Sequence, residues 1–295
     1  MRRRTLLLAA TALLLPGAPL LASPPRTPAL RLAIHRDVHA DYLRFLGRRD
    51  ALTLTEFGGN WSRRDVVETV LLQQALARGG LAQPLRFVIA DSYGRLLKML
   101  SQGDADLSAS SAWKLDADDH PGRLAVSRAV IGQGRFEAGL YFPEGHEGLE
   151  IVARDPDALA DYTAVCSSDW RPDILTLQAL GVKVLLTENW NSMLGMLRKG
   201  RADFVLAPFQ PNADFRISRE DLVLLPVEGV KVGLVGSRHF LVSQAGSDWR
   251  EWLAKLNRGL LALEKEDVIA RAYEQSGFHD SRVQEWRRIG PGLSG

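Results

Sequence analysis

LKMLSQGDADL at residues 97–107 recurs as LGMLRKGRADF at residues 194–204, with apolar residues, glycine, alanine and aspartate at the same offsets. In each copy, apolar residues at helical spacing stop at a glycine, Gly103 or Gly200, which can adopt the left-handed conformation of a helix end. An apolar segment follows, so each copy predicts a helix and then a strand. Unless the similarity is chance, two such units about a hundred residues apart predict two similar α/β lobes rather than a short-period solenoid.

The segments around these units alternate between strand and helix patterns. The predicted strands lie at residues 30–34, 85–89, 105–109, 162–165, 182–186 and 202–207. The predicted helices lie at residues 64–78, 172–179, 249–263 and 266–275. Residues 230–242, rich in valine and glycine, predict a strand that returns to the first lobe.

Glycines mark the two places where the chain would cross between the lobes. They are Gly132, Gly134, Gly139, Gly229, Gly233 and Gly236. Glycine permits the backbone rotations of a hinge, although ordinary loop glycines explain the pattern equally well. The expected fold is therefore α/β and two-lobed with crossing hinge strands, lobe 1 being residues 23–130 and 237–295 and lobe 2 residues 131–236.

The first 22 residues read as an export signal. Arginines at residues 2–4 precede an apolar stretch at residues 6–15, and residues 20–22 form a small-residue cleavage site. An uncleaved membrane anchor is the alternative, but Pro16 and Pro19 break the apolar run. The arginines fit either the general or the twin-arginine export route. We expect a cleaved signal peptide and a periplasmic protein.

The composition of the mature chain excludes several classes of protein. Without the signal segment, 34 of the 37 lysines and arginines remain against 35 acidic residues, so the chain is close to neutral. Nucleic-acid binding would need a clustered basic face, and no partner of that kind is expected. The single cysteine, Cys166, cannot form an internal disulfide, so the fold must rely on its core.

Several segments follow one another in a recognisable order. A leucine-rich helix at residues 71–76 precedes an arginine-led segment at residues 95–106. Later come Trp170-Arg171-Pro172-Asp173, a Leu-x-x-x-Gly helix at residues 177–181, and residues 196–203. This order resembles the periplasmic solute-binding proteins of the extracellular family 3 type, and most closely a poorly characterised branch of it. The resemblance covers about residues 64–275 and rests on order and spacing.

The resemblance implies a type II periplasmic-binding-protein fold whose lobes close on a small molecule by hinge bending. It implies a partner in the inner membrane, a transporter or, less often, a sensor; no cofactor and no metal are expected, and we expect a monomer. The sequence departs from the family's amino-acid binders. Their Thr-x-x-Arg clamp should fall at residues 110–123, where residues 113–116 do not reproduce it, and their amine-binding aspartate should fall near Pro208.

Two loops of the first lobe follow predicted strands, where open α/β sheets bind ligands. In one, Tyr93 could stack on a ligand and Arg95 could clamp an anion; the alternative is a capped helix with a solvated arginine. In the other, Ser110, Ser111 and Trp113 offer hydroxyls and an aromatic wall, or form a serine-rich turn with a buried tryptophan.

A third loop, in the second lobe, precedes a helix that starts at a proline. Its small polar residues would expose backbone amides to a carboxylate or phosphate, unless they only cap the helix. The residues are Ser167, Ser168, Asp169 and Trp170. Trp61 could add an aromatic wall or merely fill its loop, and Arg128 matches an arginine of the resembled branch but could only brace the hinge. Together these residues predict a small polar or acidic ligand.

Catalysis is the alternative function. Ser111-Ala112-Trp113-Lys114 spells Ser-x-x-Lys, but no partner motif follows it, and Gly132-Gln133-Gly134 lacks the third glycine of a dinucleotide loop. His35 and His39 make no complete metal set. Some members of this fold are dehydratases, for which Asp91 or Asp169 would be the candidate acids. We therefore expect a solute-binding protein, with a ligand-sensing subunit or a periplasmic lyase as alternatives.

Overall fold

A computed structural model describes residues 28–188, 190–210, 212–219 and 221–291, so the predicted signal segment lies outside the described residues. The strands are β1 (Leu30–His35), β2 (Leu85–Ala90), β3 (Leu107–Ser108), β4 (Ala112–Trp113), β5 (Leu124–Ile131), β6 (Glu137–Pro143), β7 (Thr163–Ser167), β8 (Lys183–Thr187), β9 (Val205–Ala207), β10 (Ile217–Arg219), β11 (Leu222–Pro226), β12 (Val230–Gly233), β13 (Arg238–Ser243) and β14 (Arg287–Ile289). The α-helices are α1 (Arg36–Leu46), α2 (Arg64–Arg78), α3 (Tyr93–Gln102), α4 (Lys114–Asp118), α5 (Gly148–Arg154), α6 (Arg171–Ala179), α7 (Trp190–Arg198), α8 (Trp249–Lys265) and α9 (Val268–Gln275).

The first sheet has the strand order β2-β1-β3-β13-β4, with β5 also paired to β13. Strand β1 is parallel to both β2 and β3, whereas β13 is antiparallel to its neighbours. The carboxyl ends of β1, β2 and β3 therefore meet at one edge of the sheet. That edge is where an open α/β sheet offers loops and helix N-termini to a ligand.

The second sheet has the order β10-β11-β6-β12-β14, with β9 paired to β6. Strands β7 and β8 are parallel, and a parallel bridge between Ala164 and Phe204 joins β7 to the residue before β9. The carboxyl ends of β7, β8 and β9 consequently point the same way. They lead into α6, into α7 and into the loop that begins at Pro208.

The echoed segments form the same kind of helix-to-strand turn in the two lobes. Helix α3 stops at Gly103, and a glycine with positive φ, Gly200, follows α7. The carboxylate of Asp106 accepts the amide of Arg31 at 2.7 Å, and that of Asp203 accepts the amide of Thr163, also at 2.7 Å. Each aspartate thus joins the helix-to-strand turn to the start of a neighbouring strand, β1 or β7.

The chain crosses twice between the two sheets, from β5 to β6 and from β12 to β13. This confirms the predicted two-lobed α/β fold with crossing hinge strands. The single strand predicted at residues 230–242 is wrong in detail, because residues 234–237 break it into β12 on the second sheet and β13 on the first. The predicted lobe boundaries remain a proposal; β14, which that division assigns to lobe 1, pairs with β12 of the second sheet.

Helix α2 forms the centre of the first lobe and has the bounds that the sequence predicted, residues 64–78. It crosses α8 at Gly259, where an added Cβ would lie 1.8 Å from the carbonyl oxygen of Ala75. Only glycine allows the two backbones to approach this closely. At its other end, the N-terminal turn of α2, including Arg64, lies beside the carboxyl edge of the first sheet.

Candidate ligand-binding site

A cavity of about 110 Å³ opens at the carboxyl edge of the first sheet. Its lining residues come from the ends of β1 and β3, the start of α3, the start of α2 and the start of β13. They are His35, Arg64, Asp65, Tyr93, Leu96, Ser110, Ser111, Ala112 and Arg238. The topology of the sheet therefore brings together residues that lie as much as two hundred positions apart in the sequence.

Glu68, one turn into α2, is completely buried beside the cavity. Its carboxylate accepts hydrogen bonds from Arg64 at 2.8 Å, from the amide and hydroxyl of Ser111 at 2.9 and 2.7 Å, and from the hydroxyl of Tyr273 at 3.0 Å. Burial opposes ionisation, but the charges of Arg64 and Arg238 and the bonds from Ser111 outweigh it, so the pKa of Glu68 is lowered. Glu68 is a buried anion with a full set of partners.

Arg238 begins β13 and is also buried. It donates from Nε to the hydroxyl of Ser111 at 3.0 Å and from Nη2 to the carbonyl of Ser111 at 2.5 Å, and its guanidinium lies 4.8 Å from the ring centre of Trp113. Burial and the neighbouring Arg64 lower the pKa of Arg238. Within the described part of the chain, its Nη1 has no hydrogen-bond partner, although Arg238 lines the cavity.

One further polar atom of the cavity has no hydrogen-bond partner among the described residues. The Oδ1 atom of Asp65 is buried and accepts no hydrogen bond from any described residue, while Oδ2 contacts Arg63 at 2.7 Å. The hydroxyl of Ser110 is in a buried residue that lines the same cavity. A buried acceptor without a partner is costly, so Oδ1 of Asp65 is suited to accept a hydrogen bond from water or from a donor group of a ligand.

The charges around the cavity favour an anion. Arg64 and Arg238 place two guanidinium groups beside Glu68, the one completely buried carboxylate among the described residues. Asp65, the other carboxylate of the lining, is engaged by Arg63. Arginine presents its N–H groups in a planar fork that matches a carboxylate or phosphate, and such bonds are strong where water is excluded.

The second lobe faces this cavity with the first turn of α6. The guanidinium of Arg171 lies 2.5 Å from the carboxylate of Asp119, which directly follows α4 of the first lobe. Asp173, two residues further along, is partly buried, and burial raises its pKa to about 7 although the charge of Arg238 lowers it. These contacts place the N-terminus of α6 against the first lobe.

Of the residues that the sequence singled out, Tyr93, Ser110 and Ser111 line the cavity. Trp113 does not line it, but the guanidinium of Arg238 lies over its ring, and its amide donates to the Tyr93 hydroxyl at 3.3 Å. That hydroxyl donates in turn to Asp116 at 2.5 Å. The two loops predicted in the first lobe thus do meet at one place.

Three predicted contacts of the first lobe lie outside the cavity lining, and their contact with a ligand remains a proposal. Trp61 is 52% exposed and stacks under Arg44 on the outside of the lobe. Arg95 is exposed, and its amide bonds the Ser92 hydroxyl as an ordinary helix cap. Arg128 pairs with Glu264 of α8 at 2.5 Å, away from the cavity lining.

The predicted loop of the second lobe lies at the start of α6. Ser167 is buried and its hydroxyl accepts the amide of Asp169 at 3.3 Å, a local capping contact. Ser168 and Asp169 are exposed, and Trp170 is 37% exposed with its ring 6.4 Å from that of Trp190. These four residues do not line the cavity of the first lobe, and their contact with a ligand remains a proposal.

Arg64, Glu68 and Arg238 were missed by reasoning from the sequence. Arg64 and Glu68 stand four residues apart in a helix, the usual spacing of a solvated ion pair, and Arg238 opens an apolar strand. One signal was present: Glu68 lies between Val67 and Thr69 and shares a helix face with Leu71 and Leu72. A carboxylate on an apolar helix face indicates a buried partner.

Little in the geometry of the described residues supports the catalytic alternatives. Asp91, one candidate acid, pairs with Arg36 at the exposed surface, and the other, Asp169, is exposed. Burial raises the pKa of the Cys166 thiol to about 12, which keeps it protonated and a poor nucleophile. Within residues 28–291, excluding the undescribed positions, no group of three metal-ligating side chains occurs and no helix has the length and apolarity of a membrane span.

Two sheets, a double crossing and a cavity at the carboxyl edge together define the two-lobed fold of the type II periplasmic binding proteins. Solved structures agree: the periplasmic VFT2 domain of BvgS from Bordetella pertussis matches with a TM-score of 0.55 and 15% identity, over 88% of this chain and 93% of that one. The periplasmic domain of BvgS matches with a TM-score of 0.53 and 17% identity over 86% of this chain; the chain spans 44% of its length. No family model and no curated protein matches the sequence.

Proposed function

We propose that this protein is a periplasmic solute-binding protein that closes on a small anionic molecule and delivers it to a transporter in the inner membrane. One observation carries the proposal: Arg64 and Arg238 converge on a cavity in which Nη1 of Arg238 has no partner among the described residues. An anionic group of the ligand would accept from these guanidinium groups. The indole of Trp113 behind Arg238 would keep water from the contact.

The groups that hold the two arginines in place suit a binding site better than a structural ion pair. Glu68 and the Ser111 backbone orient the guanidinium groups, so little side-chain entropy is lost when a ligand binds. The first turn of α6 would contribute backbone amides from the opposite lobe. Binding between two lobes then favours the closed form, because a ligand that contacts both shifts the equilibrium towards closure.

A ligand-sensing subunit of a membrane receptor is the second candidate, since it would use the same pocket. The fold similarity to the VFT2 domain of BvgS, one part of a larger periplasmic domain, favours it. The two candidates differ in their partner. Crosslinking of the exported protein in its own cells, followed by identification of the captured membrane protein, would find a transporter or a receptor.

A ligand screen tests the proposal directly. The mature chain, residues 23–295, would be heated with small carboxylates, phosphates and sulfonates, and with amino acids, polyamines and neutral sugars as contrasts. A ligand at 100 times its Kd adds about 2.7 kcal/mol of stability, which raises the Tm by several degrees. We expect a shift only with anionic compounds and no new mass in the mixture. A shift confined to cations or sugars would refute the anion site, and a new product mass would favour an enzyme.

A further inference from the structure

A C-terminal segment, residues 277–290, runs from the first lobe onto the second and is here named the strap. It leaves α9, which belongs to the helices of the first lobe, and ends as β14 on the second sheet. The two crossings between β5 and β6 and between β12 and β13 form the hinge. The strap therefore connects the lobes a third time.

The strap begins at an anchor in the first lobe. The ring of Phe278 packs edge-on against Tyr273 of α9 and against Phe136 of the crossing between β5 and β6, with ring centres 5.1 and 5.0 Å apart. The amide of Phe278 donates to the carbonyl of Tyr273 at 2.9 Å. Because Tyr273 also bonds to the buried Glu68, this end of the strap is fixed to the floor of the candidate site.

Its second anchor lies on the second lobe, at the loop that follows β9. Arg282 donates to the carbonyls of Asn212 and Ala213 at 2.9 and 3.2 Å, and its guanidinium lies 4.1 Å from the ring centre of Phe215. The indole of Trp286 packs edge-on against the same ring, at 5.7 Å. Further along, β14 pairs in parallel with β12.

The strap contacts a loop at the cleft edge of the second lobe, residues 208–210 and 212–216. This loop continues from the carboxyl end of β9, which points the same way as the end of β7 that leads into α6. On its inner side the hydroxyl of Tyr141 donates to the carbonyl of Phe215 at 3.0 Å. The loop is thus fixed from one side by β6 and from the other by the strap.

Between its anchors the strap is short, although it is not fully extended, because a 3₁₀ turn begins at Ser281. A cavity of about 460 Å³ separates it from α9, with Lys231, Glu274, His279 and Gln284 among the lining residues. The connection therefore depends on the anchors rather than on continuous packing. Only three residues separate Phe278 from Arg282, and four extended peptide steps reach at most about 14 Å.

We propose that the strap limits how far the two lobes open and positions the loop at residues 208–210 and 212–216 against the cleft. A tether this short restricts the open form and leaves the closed form unstrained. Opening beyond its reach requires Arg282 and Trp286 to leave the aromatic cluster around Phe215. The proposal goes beyond ligand binding, because the strap acts on the lobes whether or not a ligand is present.

Distances between the lobes test this without a ligand. Spin labels would be placed at the exposed positions Lys98 and Arg154, in a Cys166→Ala background, and measured by pulsed electron paramagnetic resonance. We expect Arg282→Ala with Trp286→Ala to lengthen the mean distance and broaden its distribution. The matched control is Trp249→Ala with Arg250→Ala, which removes a stacked Trp–Arg pair within the first lobe. An unchanged distribution in the folded strap variant, or an equal change in the control, would overturn the proposal.

A milder variant covers the case in which the double substitution prevents folding. Arg282→Gln removes the charge and the fork but retains a polar side chain of moderate size. We expect amide hydrogen exchange at residues 212–216 to become several-fold faster while exchange in α2 is unchanged. Exchange at residues 212–216 that matches the unmodified protein would overturn the proposal.

Discussion

Glu68 on α2 accepts hydrogen bonds from both the amide and the hydroxyl of Ser111, at 2.9 and 2.7 Å. The pair joins the central helix of the first lobe to the loop that leaves β3. Ser111 also accepts hydrogen bonds from Nε and Nη2 of Arg238. One serine therefore connects the buried carboxylate to the guanidinium of the candidate site. Glu68, which offsets one of the two guanidinium charges, is therefore part of the core, and replacing it should affect stability.

Replacing Glu68 should expose this dependence. We expect Glu68→Gln to lower the free energy of unfolding by about 3–5 kcal/mol, because it leaves the buried Arg238 and the partly buried Arg64 without their anion. Urea denaturation measures the change. Asp91→Asn, which breaks the exposed pair with Arg36, is the control and should cost less than about 1 kcal/mol. Similar losses in the two variants would argue against a buried, essential anion.

Two glycine substitutions separate close packing from helix propensity. Gly259→Ala should destabilise the protein by about 1–3 kcal/mol or more, since its Cβ would meet the Ala75 backbone at the crossing of α2 and α8. Gly195→Ala in α7 meets no atom within 4 Å and should stabilise by about 0.5–1 kcal/mol. Thermal unfolding of both variants decides the matter. If Gly259→Ala were as stable as the unmodified protein, the close crossing would be wrong.

Asp173 should give the stability a particular pH dependence. Its folded-state pKa, about 7, lies above the ordinary value of 3.8, so between those pH values unfolding releases a proton. Its stabilising contribution is complete below about pH 4 and is lost as the pH rises through 7. One pKa unit corresponds to about 1.4 kcal/mol. At pH 8 the Asp173→Asn variant should therefore be at least about 1 kcal/mol more stable than the unmodified protein.

Parallel urea titrations at pH 4 and pH 8 measure this difference. Asp169→Asn, an exposed change four residues earlier in the same region, serves as the control and should leave the pH dependence as it is. A curve for Asp173→Asn that runs parallel to that of the unmodified protein across this range would show that burial does not affect the carboxyl group as described.

The ion pair between Arg171 and Asp119 should couple the lobes weakly. Both side chains are about half exposed, so a double-mutant cycle with alanine should give a coupling free energy of about 0.2–1 kcal/mol. The charge-swapped variant, Arg171→Asp with Asp119→Arg, should recover much of the loss. The readout is the free energy of unfolding at low and at high salt, and coupling that does not fall with added salt would contradict a screened surface pair.

Local patterns of the sequence predict much of this fold, because they depend on neighbouring residues. The apolar spacing at residues 64–78 defines α2, and the echoed segments mark equivalent turns fastened by Asp106 and Asp203. The break between β12 and β13 was not predictable, since the run of valine and glycine continues through it. The apolar helix face around Glu68 indicates a buried partner, but the identity of that partner was not predictable: Glu68 and Arg238 are 170 residues apart, and only the sheet topology brings them together.

Calorimetric titration of the best anionic ligand would show whether Arg238 binds its anionic group. Arg238→Lys keeps the charge but removes the fork, whereas Arg95→Lys makes the same change at an exposed position outside the cavity. We predict that Arg238→Lys weakens binding at least about tenfold, a loss of about 1.4 kcal/mol, with Arg95→Lys unchanged. Equal affinity for Arg238→Lys and the unmodified protein would contradict the account.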